Sequence, residues 1–167
     1  MIENIEPNAG SSKRHDVDPT GEILKTSRVI AVVGLSPRPF RPSYGVARYL
    51  QSAGYRIIPV NPRETEILGV TSYASLLDVP VPVDIVNVFR APDALPDIAR
   101  DAVAIHAGAL WCQFGVINAE GAQIAEDGGV TVIMDRCLKV EHARYMGRMH
   151  WLGFNTGRVT SVRSGPQ

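Results

Sequence analysis

The sequence predicts an α/β fold of the doubly wound class, with a mostly parallel sheet in a single domain. Short apolar runs rich in β-branched residues, typical of strands buried on both faces, alternate with segments whose apolar residues recur at helical spacing. This alternation implies right-handed crossover connections between parallel strands. The length of 167 residues and the hydrophobic content of 45% suit one ordinary core.

Six segments predict strands. The first, Arg28–Val33, is a continuous apolar run that Gly34 ends. The second, Tyr55–Val60, contains Pro59, which favours a strand end or a position whose N–H is not needed. A short third strand is predicted near Gly69–Thr71. The remaining predicted strands span Val83–Val88, Ala109–Phe114 and Val130–Met134. We predict the strand order 3-2-1-4-5-6 across the sheet.

Helices are predicted in the intervals between the strands. Ser43–Ala53 carries apolar residues at helical spacing, with Ser43 as the N-cap and Gly54 as the C-terminal stop. In a second helix over Ala91–Val103, Pro92 lies in the first turn, where proline is tolerated. The other predicted helices are Tyr73–Leu77, Asn118–Glu126 and Leu138–Arg148.

The two ends of the chain predict no further domain. We expect a flexible N-terminal arm at residues 1–27, with a short helix near Thr20–Thr26, a folded domain at 28–150 and a C-terminal tail at 151–167. The first residues lack the apolar core of a signal peptide, and no apolar run approaches the roughly 20 residues of a membrane span. Two cysteines do not make a disulfide scaffold. We therefore expect a cytoplasmic protein with reduced thiols and no membrane partner.

Charge placement is more informative than net charge. Seventeen Lys and Arg residues balance 17 Asp and Glu residues, which argues against a general nucleic-acid binder. Six cations nevertheless follow predicted strands, at the carboxyl edge where such sheets bind ligands. They are Arg38, Arg41, Arg63, Arg90, Arg136 and Lys139. This edge suits a multiply phosphorylated ligand, since guanidinium groups bind phosphates bidentately, although a solvated basic rim is the alternative.

Two loops at this edge indicate the class of ligand. In Gly34–Ser43, the glycine allows close approach, and the following helix N-terminus offers free N–H groups. After the second strand, NAD sites usually place Asp or Glu to hold the ribose hydroxyls. This chain has Asn61, Pro62 and Arg63 there, which tolerate a ribose phosphate. The pattern points away from NAD and leaves NADP and coenzyme A open.

Five segments of the sequence carry a resemblance to a known family. They read VVGLSPRPFRPSYGVARYL, GYRIIPVNP, VDIVNVFR, ALWCQFGV and VIMDRCLKVEH, within about residues 22–150. Together they resemble the small stand-alone CoA-binding proteins related to the N-terminal CoA-binding domain of the succinyl-CoA synthetase alpha subunit. The resemblance implies a Rossmann-like, nucleotide-binding domain for coenzyme A. The synthetase's second domain, with its phosphorylated histidine, is not matched, so ligase chemistry is not implied.

By matching motif, the resemblance also implies roles for single residues. The phosphate-facing loop would be formed by Gly34, Ser36, Pro37, Arg38 and Ser43. Asn61 and Pro62 would hold the adenosine side, and Phe89 and Arg90 the pantetheine and phosphate side. Arg41, from the basic edge, and Cys137 complete the predicted cofactor-binding set.

Cys137 is the candidate for covalent chemistry. It is predicted at the start of the last helix beside Arg136, where the helix dipole and the cation favour the thiolate, the form that exchanges with oxidised CoA. The alternative is a packed, inert thiol, as we expect for Cys112 inside a strand. No spacing typical of a metal site or of a hydrolytic triad is present.

The leading hypothesis is a ligand-binding module for coenzyme A or acyl-CoA without a defined catalytic activity. The alternatives are an NADP-dependent oxidoreductase, or an acyl-CoA transferase component that uses Cys137. A reductase would usually need a substrate domain, for which 167 residues leave no room. An adaptor that has lost its ligand is a third hypothesis, against which the basic edge argues. The sequence indicates neither an acyl group nor a protein partner.

Overall fold

The computed structural model describes residues 17–146, which form a parallel sheet covered by helices on both faces. The strands are β1 Val29–Val33, β2 Arg56–Val60, β3 Glu66–Ile67, β4 Val70–Thr71, β5 Ile85–Val88, β6 Ala109–Cys112 and β7 Thr131–Ile133. The helices are α1 Thr20–Thr26, α2 Pro42–Ser52, α3 Leu95–Ala104, α4 Ala119–Asp127 and α5 Leu138–Met146. Short 3-10 turns span Leu76–Asp78 and Pro92–Ala94. The five-stranded sheet has the order β2-β1-β5-β6-β7 with every pairing parallel, which confirms the predicted fold class.

Alternating strand residues build two cores, one on each face of the sheet. On one face Ile30 and Trp111 pack with α1, α2 and α5, and on the other Ala31 and Leu110 pack with α3 and α4. This alternation follows from the two-residue period of a strand, and both sets are apolar because helices cover both faces. The continuous apolar runs in the sequence arise because helices cover the strand residues on both faces of the sheet.

The predicted third strand is wrong as a member of the main sheet. Residues near Gly69–Thr71 instead form β4, which pairs with β3 in a separate antiparallel hairpin. The two-residue turn places Leu68 at φ 53° and Gly69 at φ 72°, the positive values that a type I′ turn needs. At the outer edge of β2, only Tyr73 makes a parallel bridge, with Val60, among the described residues. The main-sheet strands therefore follow the order 2-1-4-5-6 in the predicted numbering.

Two predicted helices differ from the observed ones. The segment Tyr73–Leu77 holds no α-helix, and the turn at Leu76–Asp78 is 3-10, with Ser75 Oγ accepting from Leu77 N. The predicted helix over Ala91–Val103 begins as the 3-10 turn at Pro92–Ala94 and continues as α3. Two prolines, Pro92 and Pro96, lie in these opening turns, where their missing N–H groups have no helical partner.

Helix α1 is packed on the domain, although it falls inside the arm predicted at residues 1–27. Leu24 is buried and the Tyr55 hydroxyl donates to its carbonyl at 2.6 Å. Asp18 Oδ1 accepts from the backbone N–H and the hydroxyl of Thr20, the first residue of the helix, and so satisfies one of the N–H groups that have no partner within α1. Residues 1–16 and the tail predicted at 151–167 lie outside the described residues. Within 17–146, no helix is long and apolar enough to cross a membrane.

Candidate functional site

A cavity of about 690 Å³ lies at the carboxyl edge of the sheet, between the loops that follow β1, β2 and β5. We call it the edge cavity. Ten predicted site residues line it, namely Gly34, Ser36, Pro37, Arg38, Arg41, Ser43, Asn61, Pro62, Phe89 and Arg90. They come together because parallel strands bring their carboxyl ends to one edge, and because β1 lies between β2 and β5.

Gly34 directly follows β1 and lies against the loop after β5. Its φ is +87°, and its N–H donates to the Val60 carbonyl at 3.0 Å. A Cβ at this position would lie 3.0 Å from Arg90 Cδ and 3.1 Å from the Phe89 carbonyl oxygen. Glycine is therefore required twice here, for the backbone angle and for the close approach of the loop after β5.

Two serines shape the loop between β1 and α2. Ser43, which is buried in the first turn of α2, accepts from the backbone N–H of Ser36 at 3.0 Å. The Ser36 hydroxyl in turn accepts from Arg38 N at 3.2 Å. Both bonds fold the loop back on itself, and the second fixes the backbone of Arg38, which lines the edge cavity. Ser43 therefore has a structural partner and is not the N-cap, since α2 begins at Pro42 with Arg41 preceding it.

Asn61 braces the loop after β2 against the loop after β1. Its Nδ2 donates to the Leu35 carbonyl at 2.9 Å, and its Oδ1 accepts from Arg63 N at 2.9 Å. Its backbone N–H donates to Tyr73. The amide thus fills, with internal bonds, the place at which NAD sites carry a ribose-binding carboxylate.

Four arginines line the edge cavity, and their positive charge is not neutralised by carboxylates of residues 17–146. Arg38, Arg41, Arg63 and Arg90 all line it, against one carboxylate, Glu64. Across residues 17–146, none of the four guanidinium groups forms an ion pair or a hydrogen bond; that of Arg41 lies 5.9 Å from the Phe40 ring centroid. Such a cavity attracts anions, because four exposed cations converge on one concave surface.

The other two predicted edge cations lie elsewhere and have partners. Arg136 donates to Asp18 Oδ2 at 2.8 Å and to the Thr20 hydroxyl at 3.0 Å. Partial burial raises the pKa of Asp18, but hydrogen bonds from Thr20 and Arg136 outweigh it and hold that pKa at about 2. Lys139 Nζ lies 5.3 Å from the Tyr49 ring centroid.

Cys137 is not brought to the edge cavity. It is half-buried directly before α5, its carbonyl accepts from Glu141 N, and its side chain packs against the core that contains Trp111. Cys112 is fully buried in β6, and this burial raises the pKa of its thiol to about 12, which keeps it protonated and unreactive.

Sequence reasoning left three lining residues out of the predicted binding set, namely Pro42, Arg63 and Glu64. Arg63 could have been predicted as a binding residue, because the sequence already placed it among the cations at the carboxyl edge. Glu64 carried no signal of its own, because a carboxylate after a basic residue is typical of any solvated loop.

Comparison with known proteins agrees with this architecture. A family model described as "CoA binding domain" matches residues 28–143. The uncharacterized protein YneT of Bacillus subtilis is 50% identical over 122 residues, which cover 73% of this chain and 90% of YneT. A hypothetical protein from Pyrococcus horikoshii has a solved structure with a TM-score of 0.76 and 33% identity, over 87% of this chain and all of that one.

A larger enzyme contains a related segment. The ADP-forming acetate–CoA ligase I of Archaeoglobus fulgidus is 31% identical over 129 residues, or 70% of this chain. The matched region is only 18% of the ligase. The similarity therefore concerns one module of that enzyme and not its whole reaction.

Proposed function

The chain belongs to the family of CoA binding domains, and on this premise we propose that it binds coenzyme A or an acyl-CoA in the edge cavity. The observation that carries the proposal is the group of four arginines that line one cavity at the carboxyl edge and have no ion-pair partner within residues 17–146. Coenzyme A carries a diphosphate and a ribose 3′-phosphate, so it offers several anionic groups to such a cavity. Binding, without a defined catalytic step, is the proposed activity.

The residues divide the work by position. The guanidinium groups of Arg38 and Arg41 would bind phosphates from one side of the edge cavity. The start of α2 adds at most the Ser43 N–H, because Pro42 has no N–H and the next two N–H groups donate to the Arg41 carbonyl. Arg90 would bind them from the other side, next to the Gly34 backbone. Asn61 keeps the two loops at a fixed separation, and its neutral amide leaves room for a ribose phosphate. Cys137 has no part in this proposal because it lies away from the edge cavity.

Calorimetric titration of the full chain with CoA, dephospho-CoA, NADP and NAD tests the proposal. We expect CoA to bind most tightly and NAD most weakly. Replacing Arg38 or Arg90 with Ala should weaken CoA binding by about 1–3 kcal/mol, the scale of a lost charge-assisted hydrogen bond. Arg48→Ala, on the exposed side of α2, is the matched control and should leave the affinity unchanged. NAD binding as tight as CoA binding would overturn the proposal.

A further inference from the structure

A second cavity with basic walls lies at the opposite end of the sheet from the edge cavity. It has a volume of about 390 Å³ and lies between the starts of β1 and β2, the C-terminal ends of α1 and α2, and the C-terminal half of α5. We call it the amino-edge cavity. It shares no lining residue with the edge cavity, and the length of the parallel strands separates the two.

Three cations from three places in the sequence line the amino-edge cavity. Lys25 comes from the last turn of α1, Arg28 directly precedes β1, and Arg56 is the first residue of β2. The two arginines are neighbours, because Arg56 N donates to the Arg28 carbonyl at 2.8 Å. The Asp84 carboxylate accepts from the backbone N–H groups of Arg28 and Val29 and is not part of the lining. Within residues 17–146 none of the three cationic side chains forms an ion pair, so their charge stays available.

His142 adds an imidazole to the wall of this cavity. Its Nδ1 lies 2.9 Å from the Tyr49 hydroxyl, and its ring packs edge-on against the rings of Tyr49 and Tyr55, with centroids 5.5 and 5.4 Å away. These contacts fix the orientation of the ring and use its Nδ1. Nε2 has no partner within the described residues. When Nδ1 accepts from the Tyr49 hydroxyl, Nε2 carries the proton and is a donor available to a ligand.

The combination of two adjacent guanidinium groups, an ammonium group and an oriented imidazole is typical of an oxyanion site. Lys25 alone is explained by the dipole of α1, which favours a cation in the last turn. We propose that the amino-edge cavity binds a phosphate group, of inorganic phosphate or of a phosphomonoester, through Arg28, Arg56 and the Nε2–H of His142. This site goes beyond the proposed function, because none of its residues lines the edge cavity.

NMR of the His142 ring in the full chain tests this proposal at a known position. The ring resonances are assigned as those absent from His142→Gln. Inorganic phosphate and ribose 5-phosphate are titrated at constant pH, against sodium chloride of equal ionic strength. We expect saturable shifts of the His142 resonances with at least one phosphate compound and none with chloride, and the compound that binds more tightly identifies the source of the phosphate group.

Substitution of the cations shows whether they bind the phosphate. Arg28→Ala and Arg56→Ala should each weaken binding about fivefold, the scale of a solvent-exposed charged contact. Arg48→Ala removes an exposed charge from α2 outside the cavity, so it is the matched control and should leave the affinity unchanged.

Two further results keep this site separate from the edge cavity and from a purely structural role. Arg90→Ala should leave the phosphate-induced shifts of His142 unchanged, because Arg90 lines the other cavity. Unshifted His142 resonances with both compounds, or unchanged phosphate affinity in Arg28→Ala and Arg56→Ala, overturn the inference while CoA binding itself stands. If wild type binds no CoA, the proposed function fails and this site is unaffected.

Discussion

The arginines at the carboxyl edge belong to two groups that differ in their partners and not in their residue type. Arg136 reaches across to Asp18 and Thr20 and fastens α1 to the loop before α5. Arg38, Arg63 and Arg90 line an open cavity and have no internal partner in residues 17–146. The difference teaches that a cation at a ligand-binding edge stabilises the fold when a carboxylate faces it, and is available for a ligand when none does.

The largest effect should come from Gly34, where the loop after β1 lies against the loop after β5. Gly34→Ala forces a side chain into a φ of +87° and brings a Cβ to 3.0 Å from Arg90 Cδ. We expect a loss of about 1–3 kcal/mol in the free energy of unfolding, measured by urea denaturation. Gly45→Ala is the matched control, because Gly45 lies inside α2 with nothing within 4 Å of its would-be Cβ. That variant should be more stable by up to about 1 kcal/mol, and equal effects of both changes would contradict the argument.

The two groups of arginines predict opposite phenotypes. Arg136→Ala should lower the free energy of unfolding by about 1–2 kcal/mol, since it removes charge-assisted bonds that are partly exposed to solvent. It should leave CoA affinity unchanged. Arg90→Ala should weaken CoA binding and leave stability unchanged. Urea denaturation and calorimetry on both variants check this, and loss of stability in Arg90→Ala would show that Arg90 has an internal role.

Lowering the pH should affect the contact between Asp18 and Arg136 but not the stability difference caused by Arg90→Ala. The pKa of Asp18 is about 2 in the folded chain and 3.8 ordinarily, so its contribution is complete above about pH 5 and is lost as the pH falls toward 2. Because its side chain is 41% exposed, we expect a contribution of about 1 kcal/mol after allowance for screening. The difference in unfolding free energy between wild type and Asp18→Asn should shrink between pH 5 and pH 2.5. The corresponding difference for Arg90→Ala should stay flat over that window.

The sequence predicts the edge cavity better than it predicts the partner of Arg136. The difference lies in how far apart in sequence the contacting residues are. The Gly34–Ser43 loop is contiguous, and the parallel topology alone carries Asn61, Phe89 and Arg90 to the same edge. The partner of Arg136 is Asp18, which is 118 residues away in sequence and lies in a segment predicted to be a flexible arm. A local sequence pattern therefore does not predict this contact. The misplaced third strand has a similar cause, because its turn uses Leu68 at positive φ, where a hairpin signal would have Asn, Asp or Gly.

The smallest expected effect concerns the one carboxylate among the cations of the edge cavity. Glu64 forms no ion pair within the described residues, although Arg38, Arg41, Arg63 and Arg90 line the same cavity. It therefore lowers the positive potential there without neutralising any single arginine.

Glu64→Gln keeps the size of the side chain and should tighten CoA binding about twofold, or about 0.5 kcal/mol, at low ionic strength. The gain should fade as salt rises, because salt screens charges that are exposed to solvent. Glu66→Gln, on the exposed face of β3, is the control and should change neither the CoA affinity nor its dependence on salt. Weaker CoA binding by Glu64→Gln would mean that this carboxylate accepts a hydrogen bond from the ligand, and the edge cavity would then be selective as well as attractive.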